Sequence, residues 1–495
     1  MEQALSTVDD IVGRLKGLVD ETRVLTGPEV LARFAADTSL EQARRPDVVV
    51  SVLTTEEVSR VVKFANEHRL PVTPRSSGVG FYGAGIPAQG GIIIDMSGMK
   101  QVRRIDTRNK WALFEAGVTY GELQEALAAV GMRAMLPLLP HPDKSVVTSC
   151  LEREPRLTPK HHLDETIMTM EMVLPTGDVF HTGSMAISPG APESIPDEVP
   201  CDLCNFMGPG IDWFRLVPGS LGTFGITTVM NVKIGYIPQR RKVLFFGFEH
   251  LEDAVEPLYR LQRKLVGDEC LLLNSRYLAA ILAPAPEDIE RVAAALPPYV
   301  IVLHLTAGDM FPEDKMAYQE EAVHEIARTY YVKPMETLPG VADANETVAA
   351  LLYQPWDNGT YWKFRERGAS QEVFFLTQLQ RAPEFLEVIN AAAARHGYSG
   401  QDIGLYLQPK QNGRAFHMEA GFPYDPETPS ERARAAAVHG DVSRALVNAG
   451  AFFYRIYGSW AELVYSRTGT LHATLKRIKR TLDPNGVMNP GKLGF

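Results

Sequence analysis

At 495 residues the chain exceeds what one hydrophobic core usually covers, so at least two domains are expected. Its 45% hydrophobic and 22% charged residues are ordinary for a globular protein in water. A net charge of −10 without any block of Lys or Arg argues against nucleic acid as a partner.

Cys150, Cys201, Cys204 and Cys270 are too few for a disulfide framework and point to a reducing compartment. Cys201-Asp202-Leu203-Cys204 is a C-x-x-C without a second pair, so it reads as two unrelated thiols and no metal site is expected. The start of the chain has neither a basic nor an apolar leader region, and no apolar run approaches the ~18 residues of a span. A cytoplasmic protein without a membrane span is expected.

Residues 1–40 carry a helical pattern through Ile11, Leu15 and Leu18. Asp47 to Leu53 is a β-branched run, read as a buried strand. Thr54 and Glu57 then form the ends of a capping box ahead of a helix with Val58, Val61, Val62 and Ala65 on one face. Leu70 to Gly91 follows, a glycine-rich loop set between two strands. Gly78, Gly80, Gly83 and Gly85 can take positive φ and leave backbone N–H groups bare, a concavity that suits a pyrophosphate. Ser76 and Ser77 add hydroxyls and Arg75 a permanent charge. A dinucleotide fingerprint or P-loop would open a helix instead, so neither applies.

Trp111 to Ala116 reads as a strand, and Gly117 to Glu122 opens a second capped helix ending at Gly131. Pro137, Pro140 and Pro142 forbid regular structure over 136–142. Thr166–Leu174 and Asp178–His181 form a hairpin, and 184–210 a long surface excursion. Gly219 to Gly225 leads into the strand Ile226–Ile234. Composition shifts near Pro238. Strands at 242–248, 299–306 and 372–379 then alternate with helices at 250–265, 286–296, 313–330 and 383–396, and a helix at 430–449 closes a mixed second domain.

Pro74-Arg75-Ser76-Ser77-Gly78-Val79-Gly80, Phe114 to Thr119, Gly219 to Thr227, and Asp483 to Gly486 with Asn489 to Lys492 together resemble the vanillyl-alcohol oxidase/p-cresol methylhydroxylase (PCMH-type) superfamily of FAD enzymes. The resemblance implies an α+β fold: a two-subdomain FAD-binding domain (1–240), an α+β cap domain (241–450) and a C-terminal segment (451–495) that returns to the FAD domain. It implies that Pro74, Arg75, Ser76, Ser77, Gly78, Val79 and Gly80 hold the pyrophosphate. Asp143, Ser145 and Ser149 would run past the flavin, Ile226 would meet the adenine end, and Asn489 and Lys492 would lie near the flavin or its phosphates. No histidine stands in the glycine loop, so noncovalent FAD is expected.

A narrower resemblance is to the 4-phenol-oxidising branch, carried by Gly117 to Leu123, Ser145-Val146-Val147 with Glu152-Arg153, Gly208 to Asp212 and above all Tyr454-Arg455. In that branch a Tyr-Arg pair clamps the substrate phenolate. Arginine is always protonated and tyrosine can donate, so the pair favours an ionised phenol oxygen. Charge from that oxygen helps a hydride leave the para benzylic carbon, giving a quinone methide to which water can add. Asp143 matches the family's active-site aspartate, and equally starts a turn after Pro142. Tyr82 takes the place of a tyrosine that the branch sets where Val79 stands. His417 falls near a site of covalent flavin linkage in some members, or is a strand histidine with an ordinary hydrogen bond. Trp356, Tyr361 and Trp362 either line an aromatic pocket or pack. His161-His162 is no metal pair, since adjacent strand residues face opposite ways.

Two other readings remain open from the sequence. One is a D-2-hydroxy-acid dehydrogenase, with Arg455 binding a carboxylate; that branch carries a histidine-rich metal motif, whereas His417, His439 and His472 stand isolated. The other is a non-catalytic flavin subunit relaying electrons. A small aromatic substrate, an electron-acceptor protein (a cytochrome or an electron-transfer flavoprotein) and a homo-oligomer complete the expectations.

Overall fold

The structure, a computed structural model, describes residues 7–186, 204–210 and 212–495. Cys201, Ile211 and most of the expected excursion at 184–210 lie outside the described residues.

Three sheets organise the chain. The first has the order Val24–Leu25, Val48–Ser51, Ile92–Asp95, Val72–Arg75, with the last three strands parallel. Its central strands are apolar on both faces because both are covered, as parallel sheets require. The helix Thr55–His68 lays Val58, Val61, Val62 and Ala65 on it. The expected capping box is only half formed here. The Thr54 hydroxyl accepts from the Glu57 N–H, but the Glu57 carboxylate accepts instead from the Leu53 N–H at 2.8 Å and from both Arg23 nitrogens at 2.6 Å. A bidentate, charge-assisted pair outcompetes a neutral amide.

The second sheet is antiparallel, in the order Val102–Asp106, Trp111–Glu115, Ile226–Tyr236, Ile167–Val173, Val179–His181, with Met132–Ala134 on the far end of Ile226–Tyr236. The expected hairpin is its edge. Helix Tyr120–Ala128 starts with a complete box: Thr119 accepts from the Glu122 N–H, and Glu122 accepts from the Thr119 N–H at 2.9 Å.

The composition shift near Pro238 falls between Ile226–Tyr236 and Arg240–Phe248, the first strand of a third, antiparallel sheet. Its order is Arg240–Phe248, Tyr299–Ala307, Glu269–Asn274, Gly404–Lys410, Ala415–Tyr424, Ala369–Thr377. One face packs Val373, Phe375, Leu405, Leu407, Met418 and Ala420 into a core with helices Leu251–Lys264, Ala382–Ala394 and Pro429–Asn448. The chain stays with this sheet past residue 451, since Phe452 bridges Leu376 and Phe453, Tyr454 and Trp460 join the same core. It crosses back with helix Thr470–Leu482. Val72 donates to Val487 O and Asn489 donates to Val72 O, both at 2.7 Å, so the tail extends the edge of the first sheet.

Candidate active site

A cleft of about 930 Å³ runs between the glycine loop and the loop 217–225. Of the residues expected at the cofactor, Pro74, Arg75, Ser76, Ser77, Val79, Gly80 and Ile226 line it. Thr148, Ser220 and Thr227 add hydroxyls, and Met96, Val147, Leu151 and Val217 add apolar surface. Among the four loop glycines only Gly83 has a positive φ, 73°, contrary to the expectation for Gly78, Gly80 and Gly85. Gly80 is needed for room instead: a Cβ there would lie 2.9 Å from the Asp37 carboxylate. Across the cleft Gly222, at φ 74°, approaches Pro74 so closely that a Cβ would come within 2.6 Å of its ring.

The other expected cofactor residues hold the loops and line neither wall. Gly78 presents its carbonyl to Arg75, whose guanidinium also donates to Ser77 O. Ser145 caps helix Val146–Leu151 and donates to Ala116 O at 2.7 Å. Ser149 accepts from Tyr120 at 2.7 Å and donates to Glu154. Asn489 donates to Ala84 O and Leu221 O, tying the two loops together, and Lys492 donates to Gly83 O. Asp143 is exposed, its N–H donating to His141 Nδ1, and it borders neither cavity. Its neighbour Lys144, 1% exposed, is the side chain directed inward.

Phe81 and Tyr82 form the wall between this cleft and a second cavity of about 570 Å³ under the cap sheet. Phe81, Tyr361, Trp362, Phe364 and Tyr406 give it aromatic walls, while Trp356 is buried behind them with its indole N–H on Thr360 O. Arg455 enters this cavity. Its guanidinium sits 4.8 Å over the Tyr82 ring and 4.4 Å over Phe374, and its Nε has no hydrogen-bond partner. Tyr454 stands behind it, bonded at 3.0 Å to Nδ1 of the fully buried His417. Burial pushes the Tyr82 phenol well above 10, so it keeps its proton.

The sequence reading did not find the carboxylates. Glu372 and Glu419 line the cavity, on neighbouring strands in which Glu372 faces Gly421 and Phe374 faces Glu419. Alternation puts His417, Glu419, Glu372 and Tyr406 on one sheet face. Lys363 bridges the two acids, 2.5 Å from Glu419 and 3.8 Å from Glu372. Burial pushes Glu372 above the usual carboxylate range; Lys363 opposes this and Glu419 reinforces it. Burial would raise Glu419 too, but Lys363 and His417 bring it down to about 2. Glu372 Oε1 makes no hydrogen bond. On the other side Lys144 binds Glu152 at 2.7 Å and Glu154 at 2.6 Å, both within 4 Å of Arg455. The signal was present: acids at alternate positions of apolar strands, Gln371-Glu372-Val373-Phe374 and Phe416-His417-Met418-Glu419.

Residues 46–183 match the FAD binding domain family, and residues 457–493 the C-terminal domain of FAD linked oxidases. The chain is 24% identical to the mitochondrial D-lactate dehydrogenase [cytochrome] of Arabidopsis thaliana over 98% of this chain and 80% of that one. It is 23% identical to the 4-cresol dehydrogenase [hydroxylating] flavoprotein subunit of Pseudomonas putida, over 92% and 88%. Its fold is similar to that of substrate-bound p-cresol methylhydroxylase, with a TM-score of 0.85 and 19% identity, over 98% of this chain and 96% of that one.

A cleft lined by glycines, hydroxyls, one arginine and apolar side chains suits a flavin dinucleotide, and with these matches it makes the protein an FAD-dependent oxidoreductase. The reading as a non-catalytic relay is thereby set aside. In its matched domains and its fold the chain resembles the vanillyl-alcohol oxidase/p-cresol methylhydroxylase superfamily. Among the described residues no helix is long and apolar enough to cross a membrane, and no cluster of three or more His, Cys, Asp or Glu could hold a metal ion.

Proposed function

We propose that the enzyme takes a hydride from the benzylic carbon of a 4-substituted phenol. The observation that carries this is the unpartnered Nε of Arg455 beside the Tyr82 phenol in an aromatic-walled cavity. A permanent cation and a retained phenol proton both favour an ionised substrate oxygen. The aromatic walls hold the ring, and Glu372 Oε1, with no hydrogen bond of its own, takes the proton that the substrate gives up. Arg75, Ser76, Ser77, Val79 and Gly80 would hold the phosphates of FAD, and Met96, Val147, Leu151, Val217 and Ile226 its apolar parts. Bound FAD supplies the two-electron acceptor. With no histidine side chain lining the cleft, acid precipitation is expected to release the flavin into the supernatant.

The name of the Pseudomonas relative favours a phenol, and that of the Arabidopsis relative favours a D-2-hydroxy acid bound through Arg455. The second reading needs a gathering of histidines. Instead His417 meets Tyr454, His439 stacks on Trp460 at 5.2 Å and His472 stacks on Tyr465 at 4.3 Å, in three separate surroundings. Anaerobic mixing with a panel of 4-alkylphenols and D-2-hydroxy acids, following flavin absorbance, decides between them. Bleaching by a phenol is expected; bleaching by hydroxy acids alone would overturn the reading.

A further inference from the structure

A third cavity, of about 630 Å³, meets the substrate cavity from the opposite side, and the two share Tyr82 and Glu372. Its mouth is at the surface, where Glu41, Ala436 and Ser459 are exposed. Its inner end is buried at Gln371, Glu372 and Tyr457. Both cavities combine aromatic rings with polar groups. The third presents Ser39, Glu41, Gln371 and His439 beside Tyr82, Tyr457 and Trp460, enough polar groups for the two to four partners that an ordered water needs.

The wall between them is fixed on one side only. The Tyr82 ring is stacked on Tyr457 at 4.7 Å, meets Phe374 edge-on at 5.3 Å and carries Arg455 above it. What remains is the Glu372 carboxylate, which borders both cavities and has an oxygen without a hydrogen bond. Lys363 stands 3.8 Å from it on the substrate side, where Glu419 and Tyr361 also line the cavity, and Gln371 and His439 line the other.

We propose that this polar cavity is the route by which water reaches the substrate pocket past Glu372, and that it sets whether the oxidised substrate is hydrated. The proposal rests on the phenol reading. With 4-ethylphenol, loss of the benzylic hydride to bound FAD and of the phenol proton leaves a para-quinone methide. When water adds, its oxygen bonds the benzylic carbon, Glu372 returns to the phenol oxygen the proton it had taken, and the carboxylate so freed takes one of the water's two protons, giving the secondary alcohol. When no water arrives, Glu372 returns its proton to the phenol oxygen and takes one from the methyl group, giving 4-vinylphenol. Either outcome reduces one FAD by two electrons.

Ala436 is exposed at the mouth and belongs to none of the groups placed at the flavin or the substrate, so Ala436→Trp and Ala436→Phe narrow the route without touching them. Flavin bleaching by 4-ethylphenol should stay within about twofold of the parent, as for a surface substitution. The alcohol-to-vinylphenol ratio should fall by about tenfold as water is excluded. Crystals of the parent should show ordered waters from Glu41 to Glu372 that the Trp variant lacks. An unchanged ratio in both variants, with the new side chain seen filling the mouth, would overturn the proposal. So would a raised KM for 4-ethylphenol at constant ratio, which would make the cavity the substrate's door. If no phenol bleaches the flavin, the phenol reading falls and takes the water route with it.

Discussion

Two groups of buried charge lie on one face of the cap sheet, and they have opposite characters. Glu269 and His304 face each other across neighbouring strands, 2.9 Å apart, and Arg133 reaches Glu269 from the second sheet at 2.7 Å. Farther along the same face stand Glu372, Glu419 and His417. The first group pairs one carboxylate with one guanidinium and borders none of the cavities described above. The second group, with the residues around it, sets Glu152, Glu154, Glu372 and Glu419 against Lys144, Lys363 and Arg455, four carboxylates against three cations. Burial works to raise every one of these acids. Arg133 and His304 overcome it at Glu269, which is held below the usual range, whereas Glu372 ends above it. Charge count therefore decides which buried acid stays a fixed anion and which can exchange a proton.

The largest expected effect tests this at Glu372. Glu372→Gln should retain flavin and lower the rate of flavin reduction by roughly 10²–10⁴-fold, the range for loss of a positioned base. In the parent, the rate should rise with pH as Glu372 deprotonates, through a midpoint above the ordinary carboxylate value, and the variant should lack that limb. Stability runs the other way. An acid whose pKa is higher in the folded chain stabilises below its unfolded pKa and loses that contribution as pH rises through the folded value, so Glu372→Gln should be at least as stable as the parent at neutral pH.

Glu269→Gln should reverse the pattern. It leaves Arg133 buried without its counter-charge and should cost about 3 kcal/mol in denaturant unfolding, with flavin reduction unchanged. Its contribution is present above the unfolded pKa and is lost as pH falls through the depressed folded value. A slowed chemical step in Glu269→Gln would erase the distinction between the two groups. Arg455→Lys is expected to be milder. The fork that meets a phenolate becomes a single ammonium, weakening binding of a phenol inhibitor by about 2 kcal/mol while FAD content stays constant. Equal losses of phenol and FAD would reject Arg455 as the clamp.

The difference between the two halves of the chain also explains what could be read in advance. In the flavin half, local rules carry the information. Three valines or three isoleucines in a row mean a covered strand, Thr119 and Glu122 close a box within four residues, and a glycine loop between strands marks the cleft. Where local rules failed, a distant partner had intervened: Arg23 took Glu57 from Thr54, and Asp37, not φ, demanded glycine at 80. The aromatic cavity is assembled from positions 82, 144, 154, 363, 372, 419 and 455, of which strand pairing joins 372 and 419 while segments between strands bring in the rest. Asp143 and Lys144 show the limit most sharply. The two differ by one position in the chain, yet one faces solvent and the other lies between two glutamates, and nothing in Pro142-Asp143-Lys144-Ser145 says which turns inward.

The smallest effect gives the finest test of the balance, because it moves a pKa without removing the acid. Lys363 is the cation nearest Glu372 and works against its protonation. Lys363→Met keeps the bulk and takes away the charge, so Glu372 and Glu419 are left to repel each other with one fewer cation. The acid limb of flavin reduction should then move to higher pH by about one unit, worth ~1.4 kcal/mol, while the plateau rate at high pH changes little. Lys100→Met, at an exposed ion pair with Glu122, should leave the limb where it was. If Glu372→Gln abolishes flavin reduction but Lys363→Met leaves the limb in place, the titrating group lies elsewhere and Glu372 acts by shape alone. If the limb moves, the group that takes the proton is one that senses Lys363 across the cavity. Of the two acids it bridges in the parent, Glu419 is held low by Lys363 and His417 whereas burial raises Glu372, so a limb above the ordinary carboxylate range is that of Glu372.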